Sequence, residues 1–285
     1  MAKGLAGRVV CALVLSVGIG AVLMAQAPPP APPPAPKGRI NPMIARLEAG
    51  GIADGEVLSF IDMEHNPYLI GDLRKLLDDV AAQKSPEGKL LKAPIVRVPM
   101  YGSEPSAWAA LQVMDLGAMG VVFQSIENRA SAERVVASMR FPPQKGSKVS
   151  PVPRGTRSGA PRGGKTLVLS ADELLKRADV WPLNPDGELM AIPMIETAEA
   201  VKNIDQILAV PGIGAILVGS YDLSLSFGDG PPKTGPKPYA ADTEGAIQKI
   251  AQGCTRHKVV CGIAAGGGKE YRDQLIKWGY RMFLN

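Results

Sequence analysis

Two apolar stretches decide the fold: Leu189-Met-Ala-Ile-Pro-Met-Ile-Glu196 and Ile216-Leu-Val-Gly-Ser-Tyr-Asp222. Each is typical of a buried strand that ends in a carboxylate, and a helical pattern fills the interval between the strands. Such a unit places Glu196 and Asp222 at the C-terminal ends of neighbouring parallel strands, where barrel enzymes build active sites. Because two adjacent acids repel each other, the pair predicts a divalent metal site. The alternative is two unrelated acids that cap helices.

The same alternation runs from residue 40 onwards and predicts an α/β domain with a parallel sheet. Seven strands are predicted, one fewer than a closed barrel needs, at 57–62, 93–99, 120–126, 189–196, 213–219, 259–263 and 281–284. Helices are predicted at 41–50, 69–82, 104–117, 131–140, 171–177, 197–209, 240–257 and 269–278. Residues 144–187, rich in Gly, Pro, Lys and Arg, indicate a long loop around one helix, and loops of this length are usually functional.

The N-terminus has the pattern of an export signal over residues 1–27. Lys3 and Arg8 precede an uncharged run at 9–25, and Ala25-Gln26-Ala27 has the form of a cleavage site. Pro28 disfavours cleavage at that point, so an uncleaved membrane anchor through residues 9–25 is the alternative. Residues 28–39 form a Pro-rich linker, expected to be a stiff spacer. We therefore expect an exported protein, periplasmic or extracellular, whose main domain covers residues 40–285.

The composition limits the possible functions. The formal net charge is +5, and no basic cluster is interleaved with aromatic residues, which argues against nucleic-acid binding. Beyond the signal only Cys254 and Cys261 remain, and they are expected to be unpaired and partly buried thiols, although export would permit a disulfide.

Four further side chains lie near predicted strand ends. His65 follows the first strand, where an imidazole could act as a general base, or could be structural. Arg97 lies inside an apolar strand and is either an oxyanion clamp or part of a buried salt bridge. Asp62 and Glu64 could orient His65 or a metal-bound water, or could be ordinary strand-end acids. His257, at a helix end, is expected to be structural.

A set of motifs in this order resembles the HpcH/HpaI aldolase family, the metal-dependent class II pyruvate aldolases. The motifs are Ile61-Asp-Met-Glu-His-Asn-Pro67, Ile95-Val-Arg-Val-Pro99, Leu116-Gly-Ala-Met-Gly-Val121, Met139-Arg-Phe-Pro-Pro143, Ile195-Glu-Thr197, Val201-Lys-Asn203, Val210-Pro-Gly212 and Gly219-Ser-Tyr-Asp-Leu-Ser224. The resemblance implies a (β/α)8 TIM-type barrel. It also implies cleavage of a 4-hydroxy-2-oxo acid to pyruvate and an aldehyde, or the reverse addition.

The resemblance further implies a role for each site residue. Glu196 and Asp222 would hold Mg²⁺, Mn²⁺ or Co²⁺, Arg97 would stabilise the enolate oxygen, and His65 would move the proton of the aldol hydroxyl. The backbone of Gly219, Ser220 and Tyr221 would receive the pyruvate carboxylate. The partner is a small oxo acid, and a homo-oligomer is expected. Residues 144–187 and the strand-end loops are expected to select the aldehyde.

The sequence departs from the family pattern in four places. Met194 stands where the family usually has a glutamine that contacts substrate or water, and Gln124 stands where a proline is common. Residues 41–56 are too short for the first strand and helix, and the family's terminal helix has no counterpart. The barrel is therefore expected to be incomplete.

These departures favour a second hypothesis, a catalytically impaired exported module that binds a small oxo acid or an acidic sugar. A third, a lyase of the citrate-lyase or malyl-coenzyme-A type, would need a coenzyme A pocket that no feature demands.

Overall fold

Seven parallel strands form a single sheet in chain order, which confirms the predicted fold class. The computed structural model describes residues 38–99, 107–159, 162–265 and 267–284. The strands are β1 Leu58–Asp62, β2 Ala93–Arg97, β3 Gly120–Phe123, β4 Met190–Ile195, β5 Ala215–Gly219, β6 Val260–Ala264 and β7 Tyr280–Phe283. Every residue of β3, β4 and β5 is buried, as expected for parallel strands covered on both faces.

Ten helices accompany the strands within the described residues. They are α1 Pro42–Glu48, α2 Ile70–Ala82, α3 Ala107–Asp115, α4 Arg129–Met139, α5 Ala171–Arg177, α6 Ala198–Lys202, α7 Ile204–Leu208, α8 Ser220–Phe227, α9 Ala241–His257 and α10 Gly268–Trp278. None of the helices in the described part of the chain is long and apolar enough to cross a bilayer. The predicted export signal and most of the Pro-rich linker lie outside the described residues.

The first strand expected for the family's barrel is reduced to a single bridge residue, Ala53. The Ala53 N–H donates to the Arg281 carbonyl at 2.8 Å, and the Phe283 N–H donates to the Ala53 carbonyl at 2.9 Å. This parallel bridge to β7 lies just before β1 in the chain, so the sheet curls into an incomplete (β/α)8 barrel. The expectation that residues 41–56 cannot supply a full strand and helix is confirmed.

Helix α1 lies at the N-terminal end of the barrel instead of on its side. The Asn41 side chain caps α1 by accepting from the N–H groups of Met43 and Ile44, and it donates to the Glu188 carbonyl at 3.0 Å. Since Glu188 precedes β4, this contact holds the start of α1 against the end of the barrel where the strands begin. Met43 and Ile44 are fully buried in the core there.

Residues 144–187 also pack at this N-terminal end, around helix α5 at the predicted 171–177. The Arg140 side chain forms a buried ion pair with Asp179 and donates to the Ser150 and Pro153 carbonyls. Thr166 donates to the Gly117 carbonyl, which precedes β3. The expectation that this segment selects the aldehyde is therefore not supported within one chain, because its anchoring contacts lie at the end of the barrel opposite Glu196.

Two local predictions were wrong. The helix predicted over 197–209 is broken at Asn203, whose side chain donates to the Glu127 carbonyl and to Glu199. The bond to Glu127 ties Asn203 to the segment before α4, and the helix restarts from Ile204 as α7. Helix α8 over Ser220–Phe227 was not predicted, because its residues alternate polar and apolar, which is not the period of a helix. Cys254 and Cys261 are unpaired as expected, but fully buried.

Candidate active site

Glu196 follows β4 at the C-terminal end of the barrel and is only 7% exposed. Its Oε1 accepts the Ser125 N–H at 2.6 Å and the Ser125 hydroxyl at 3.1 Å. Within the part of the chain that the structure describes, no ion pair joins Glu196 to a lysine, arginine or histidine. Burial raises the pKa of Glu196, the carboxylates of Asp222 and Glu64 raise it further, and the bonds from Ser125 only partly oppose the shift.

Asp222 lies in the first turn of α8, which directly follows the C-terminal end of β5. Strand β5 is the neighbour of β4 in the sheet. Asp222 is exposed, in contrast to Glu196, and the two carboxylates are close enough for its charge to raise the Glu196 pKa. The structure therefore brings together the two acids that the sequence predicts as a pair. A site built from one buried and one solvent-facing carboxylate offers oxygen ligands and an open side for a small molecule.

Asp62 and Arg97 form a second centre at the ends of β1 and β2, where they are direct neighbours in the strand register. Arg97 Nε donates to Asp62 Oδ1 at 2.9 Å and Nη2 donates to Oδ2 at 2.5 Å, while Nη1 pairs with Glu64 Oε2 at 2.8 Å. Burial opposes both charges, but the ion pair outweighs it, so the pKa of Asp62 falls to about 2 and that of Arg97 rises. The guanidinium is thereby fixed in one orientation.

His65 completes this centre from the outside, with a side chain that is 66% exposed. Its Nδ1 lies 3.1 Å from Asp62 Oδ2 and 2.7 Å from Arg97 Nη2. Possible ligand atoms of Asp62, Glu64 and His65 all fall within 4.8 Å of one another, an arrangement that could also hold a cation. Arg97 pairs directly with both acids, so we assign this centre to the guanidinium. His257, in contrast, pairs with Asp205 away from the site, as expected for a structural residue.

Gly219 and Met194 meet beside Glu196. A Cβ on Gly219 would lie 2.4 Å from Met194 Cε and 2.9 Å from Glu196 Oε2, so only glycine permits this close approach. Met194 is 3% exposed and presents its thioether where the family usually has an amide. The Ser220 hydroxyl is engaged by the Ala264 carbonyl and by Tyr239 at 2.7 Å, which leaves the backbone N–H groups at the start of α8 to face the site.

Ser125 and Tyr239 were missed by sequence reasoning. Ser125 follows β3, and its place at a strand end is the only signal that could have identified it. Tyr239 lies in the loop before α9 and carries no signal in the sequence. Their contacts with Glu196 and Ser220 are long-range contacts that only the folded chain displays.

A cavity of about 1000 Å³ lies at the other end of the barrel, between the start of the 144–187 segment and the region of α5. Its charged lining includes Arg140, Asp179 and Glu188, which already take part in ion pairs. Glu196 and Asp222 are not among its lining residues. The cavity is therefore separate from the candidate site.

Comparisons with known proteins agree with this geometry. The family model described as HpcH/HpaI aldolase/citrate lyase matches residues 54–283. The chain belongs to the HpcH/HpaI aldolase/citrate lyase family. It is therefore an aldolase-type lyase, and the resemblance found in the sequence is confirmed.

Curated relatives of this family member cover most of the chain. A hydroxypyruvate/pyruvate aldolase from Paraburkholderia phytofirmans is 30% identical over 80% of this chain and 81% of its own length. A 2-keto-3-deoxy-L-rhamnonate aldolase from Escherichia coli K12 is 29% identical over 77% of this chain and 70% of its own.

Solved structures of the family show the same fold. A family protein from Burkholderia cenocepacia J2315 superposes with a TM-score of 0.67 at 25% identity, covering 86% of this chain and 91% of its own. An HpcH/HpaI aldolase from Desulfitobacterium hafniense DCB-2 gives a TM-score of 0.64 at 20% identity, over 85% and 88% of the two chains. The incomplete barrel is thus a variant of a known architecture.

Proposed function

We propose that this family member is a divalent-metal-dependent aldolase that cleaves a 4-hydroxy-2-oxo acid to pyruvate and an aldehyde, or runs the reverse addition. The observation that carries the proposal is Glu196, a buried carboxylate that faces a second carboxylate, Asp222, and forms no ion pair in the described part of the chain. The relatives named hydroxypyruvate/pyruvate aldolase and 2-keto-3-deoxy-L-rhamnonate aldolase support a pyruvate-type product.

Glu196 and Asp222 would hold the metal. The raised pKa of Glu196 shows that its charge is poorly balanced, and a bound dication would balance it. Oxygen-only ligands favour hard cations such as Mg²⁺ and Mn²⁺, with Co²⁺ as a further candidate, over zinc. When bound, such a cation stabilises the negative charge that develops on the keto oxygen of the substrate.

Arg97 would stabilise the same developing charge from its fixed position. Three of its five N–H groups are directed at Asp62 and Glu64, and the second N–H on Nη1 remains among the described contacts to donate to an enolate oxygen. A donor that is already oriented needs no rearrangement during the reaction, which is the basis of electrostatic stabilisation in active sites.

His65 would exchange the proton of the 4-hydroxyl group. In the tautomer whose Nδ1–H donates to Asp62 Oδ2, the exposed Nε2 is the atom available to take that proton during cleavage and to return it during addition. Asp62 and Glu64 then act through their neighbours, by orienting the imidazole and the guanidinium.

The start of α8 would receive the pyruvate carboxylate. The N–H groups of Ser220 and Tyr221 lie in the first turn of an eight-residue helix, and such groups have no intrahelical partner. Gly219 lets this turn approach Glu196 closely, and Met194 forms an apolar surface beside it. Met194 would exclude water from the metal ligand, where a glutamine would form a hydrogen bond.

The test is pyruvate release by the purified full-length protein from a panel of 4-hydroxy-2-oxo acids, with Mn²⁺ or Mg²⁺ and with a chelator. We expect release that the chelator abolishes and that falls at least about a hundredfold in Arg97→Ala and Asp222→Ala. His257→Ala is the matched histidine control for His65→Ala. Metal-loaded, folded protein that releases no pyruvate would instead favour the alternative, a module that only binds an oxo acid or an acidic sugar.

The proposed enzyme would work outside the cytoplasm, as a homo-oligomer. The support is the basic start, the uncharged run at 9–25 and Ala25-Gln26-Ala27. N-terminal sequencing of protein recovered from cell fractions would give Pro28 as the first residue after cleavage. A retained Met1 in the membrane fraction would indicate an anchor, and a retained Met1 in the cytoplasm would contradict export.

A further inference from the structure

Ser125 has an unusual backbone conformation beside the buried ligand candidate Glu196. Its φ of 51° lies in the left-handed region, which residues other than glycine rarely adopt. Lys258, at φ 56°, is the other non-glycine residue of this kind in the described part of the chain, and it caps the end of α9. Ser125 caps no helix. A strained conformation of this type persists where the surrounding contacts enforce it, and such residues cluster at functional sites.

The contacts of Ser125 all converge on one oxygen atom. Its N–H and its hydroxyl both donate to Glu196 Oε1, at 2.6 and 3.1 Å. The other oxygen, Oε2, lies over Gly219, since a Cβ added there would approach it to 2.9 Å. Gly219 leads into the first turn of α8, which carries Asp222. Glu196 therefore has one oxygen bound by hydrogen bonds and one directed towards the strand end of its acidic partner.

We propose that Ser125 is the positioning residue of the metal site. It holds Oε1 of Glu196 so that the carboxylate offers a single oxygen, Oε2, to a divalent cation. The inference rests on the proposed function, since it assumes that Glu196 binds the metal. Hydrogen bonds to an ionised acceptor are stronger than neutral ones, and loss of a partner that orients a metal ligand typically weakens metal affinity 10- to 100-fold.

Three substitutions of Ser125 differ in the hydrogen bond and in the backbone strain that they remove. Alanine would keep the N–H bond and lose the hydroxyl bond, while retaining the strained φ. Glycine would also lose the hydroxyl but would relieve the strain. Asparagine tolerates the left-handed region and brings a side-chain N–H donor, so it is the conservative replacement.

The test is equilibrium binding of Mn²⁺ to the full chain, followed by the electron paramagnetic resonance signal of free Mn²⁺. Ser125→Ala and Ser125→Gly are expected to bind Mn²⁺ about tenfold more weakly than the native protein. Ser125→Asn is expected to recover affinity to within about threefold, because a donor is restored. Ser226→Ala is the matched control: that hydroxyl accepts the Ala198 N–H close by and does not contact Glu196, so its loss should leave Mn²⁺ affinity unchanged.

The outcomes separate this inference from the proposed function. If Glu196→Gln abolishes Mn²⁺ binding while both Ser125→Ala and Ser125→Gly bind as the native protein does, the side chain of Ser125 does not position the ligand and the inference is overturned, while the metal site still stands. If the native protein binds no Mn²⁺, the proposed function fails and the inference fails with it. Ser125→Gly keeps the test decisive if Ser125→Ala does not fold.

Discussion

Two buried glutamates lie on either side of strand β4, and their surroundings differ. Glu188, at the N-terminal end, is fully buried and pairs with Arg177 at 2.5 Å while accepting the Asn41 N–H at 2.8 Å. Glu196, at the C-terminal end, is almost as buried, but its described partners are the N–H and hydroxyl of Ser125. One end of the barrel balances its buried charge with the chain's own cations. The other leaves a buried carboxylate without an ion pair among the described residues, which suits the proposed cation site.

The N-terminal end of the shortened barrel is held together by contacts of Arg39. Arg39 pairs with Glu48 and donates to the carbonyls of Pro185 and Gly187, which ties the segment before α1 to the residues that precede β4. These contacts lie where the family's first strand and helix are reduced. We infer that the N-terminal end supplies stability, so that the C-terminal end can carry the poorly balanced charges of a reactive site.

The largest expected effect is on activity, through Glu196→Gln. The substitution removes the buried metal ligand, so pyruvate release should fall at least about a thousandfold, while the folded state should become no less stable, since an unpaired buried charge is also removed. Steady-state kinetics and thermal unfolding of the same preparation check both halves. Full activity in this variant would show that Glu196 is not needed for the reaction, and the contrast with Glu188 would then have no functional meaning.

Arg97→Lys should reduce kcat by about a hundredfold. A lysine ammonium keeps the positive charge but cannot pair in a bidentate manner with Asp62 while reaching Glu64, so the donor to the enolate oxygen is lost. Mn²⁺ affinity measured on the same protein should change little, because Glu196 and Asp222 remain. An unchanged kcat would show that the guanidinium is structural.

Glu188→Gln should lower stability and leave activity unchanged, the reverse of the effects expected for Glu196→Gln. It leaves Arg177 without its carboxylate partner at a buried position, which should lower the free energy of unfolding by about 3 kcal/mol. The value of kcat/KM for the folded fraction should stay within about twofold of native. Chemical denaturation and kinetics at a temperature well below unfolding measure the two quantities. An equal loss of activity would mean that the two ends of the barrel are coupled.

The smallest expected effect is a pH dependence of stability in metal-free protein. The pKa of Glu196 is raised in the folded state, so its contribution to stability is present in acid and is lost as pH rises through the folded pKa. Relative to Glu196→Gln, the native protein should therefore lose stability as pH rises from 4 to 7. Urea unfolding with a chelator at both pH values measures this difference. A constant difference would indicate that the environment of Glu196 is not unfavourable to its charge.

The sequence predicted the elements whose signals are local. Apolar runs located all seven strands, and the acids after two of these runs identified Glu196 and Asp222 as a pair. The strand predictions succeeded because each strand is a local apolar run, and the pairing of the two acids stays a prediction that rests on parallel strands ending at one edge of the sheet. The order of motifs also identified the family, which the family model confirmed.

What the sequence could not show depends on contacts distant in the chain. The bond from Ser125 to Glu196 spans 71 positions, and the contact of Asn41 with the Glu188 carbonyl spans 147. The placement of the 144–187 segment at the N-terminal end follows from Arg140 and Asp179, which carry no pattern in the sequence. Helix α8 could not be recognised because Ser220–Phe227 alternates polar and apolar residues, which is the period of a strand and not of a helix.

The most direct test of the account is Mn²⁺ binding to native protein, Glu196→Gln and Glu188→Gln, measured side by side at neutral pH. The account predicts one Mn²⁺ per chain in the native protein, the same in Glu188→Gln, and none at this site in Glu196→Gln. Equal binding by all three proteins would contradict it, because the buried carboxylate without an ion pair in the described part of the chain would then not be the one that holds the metal.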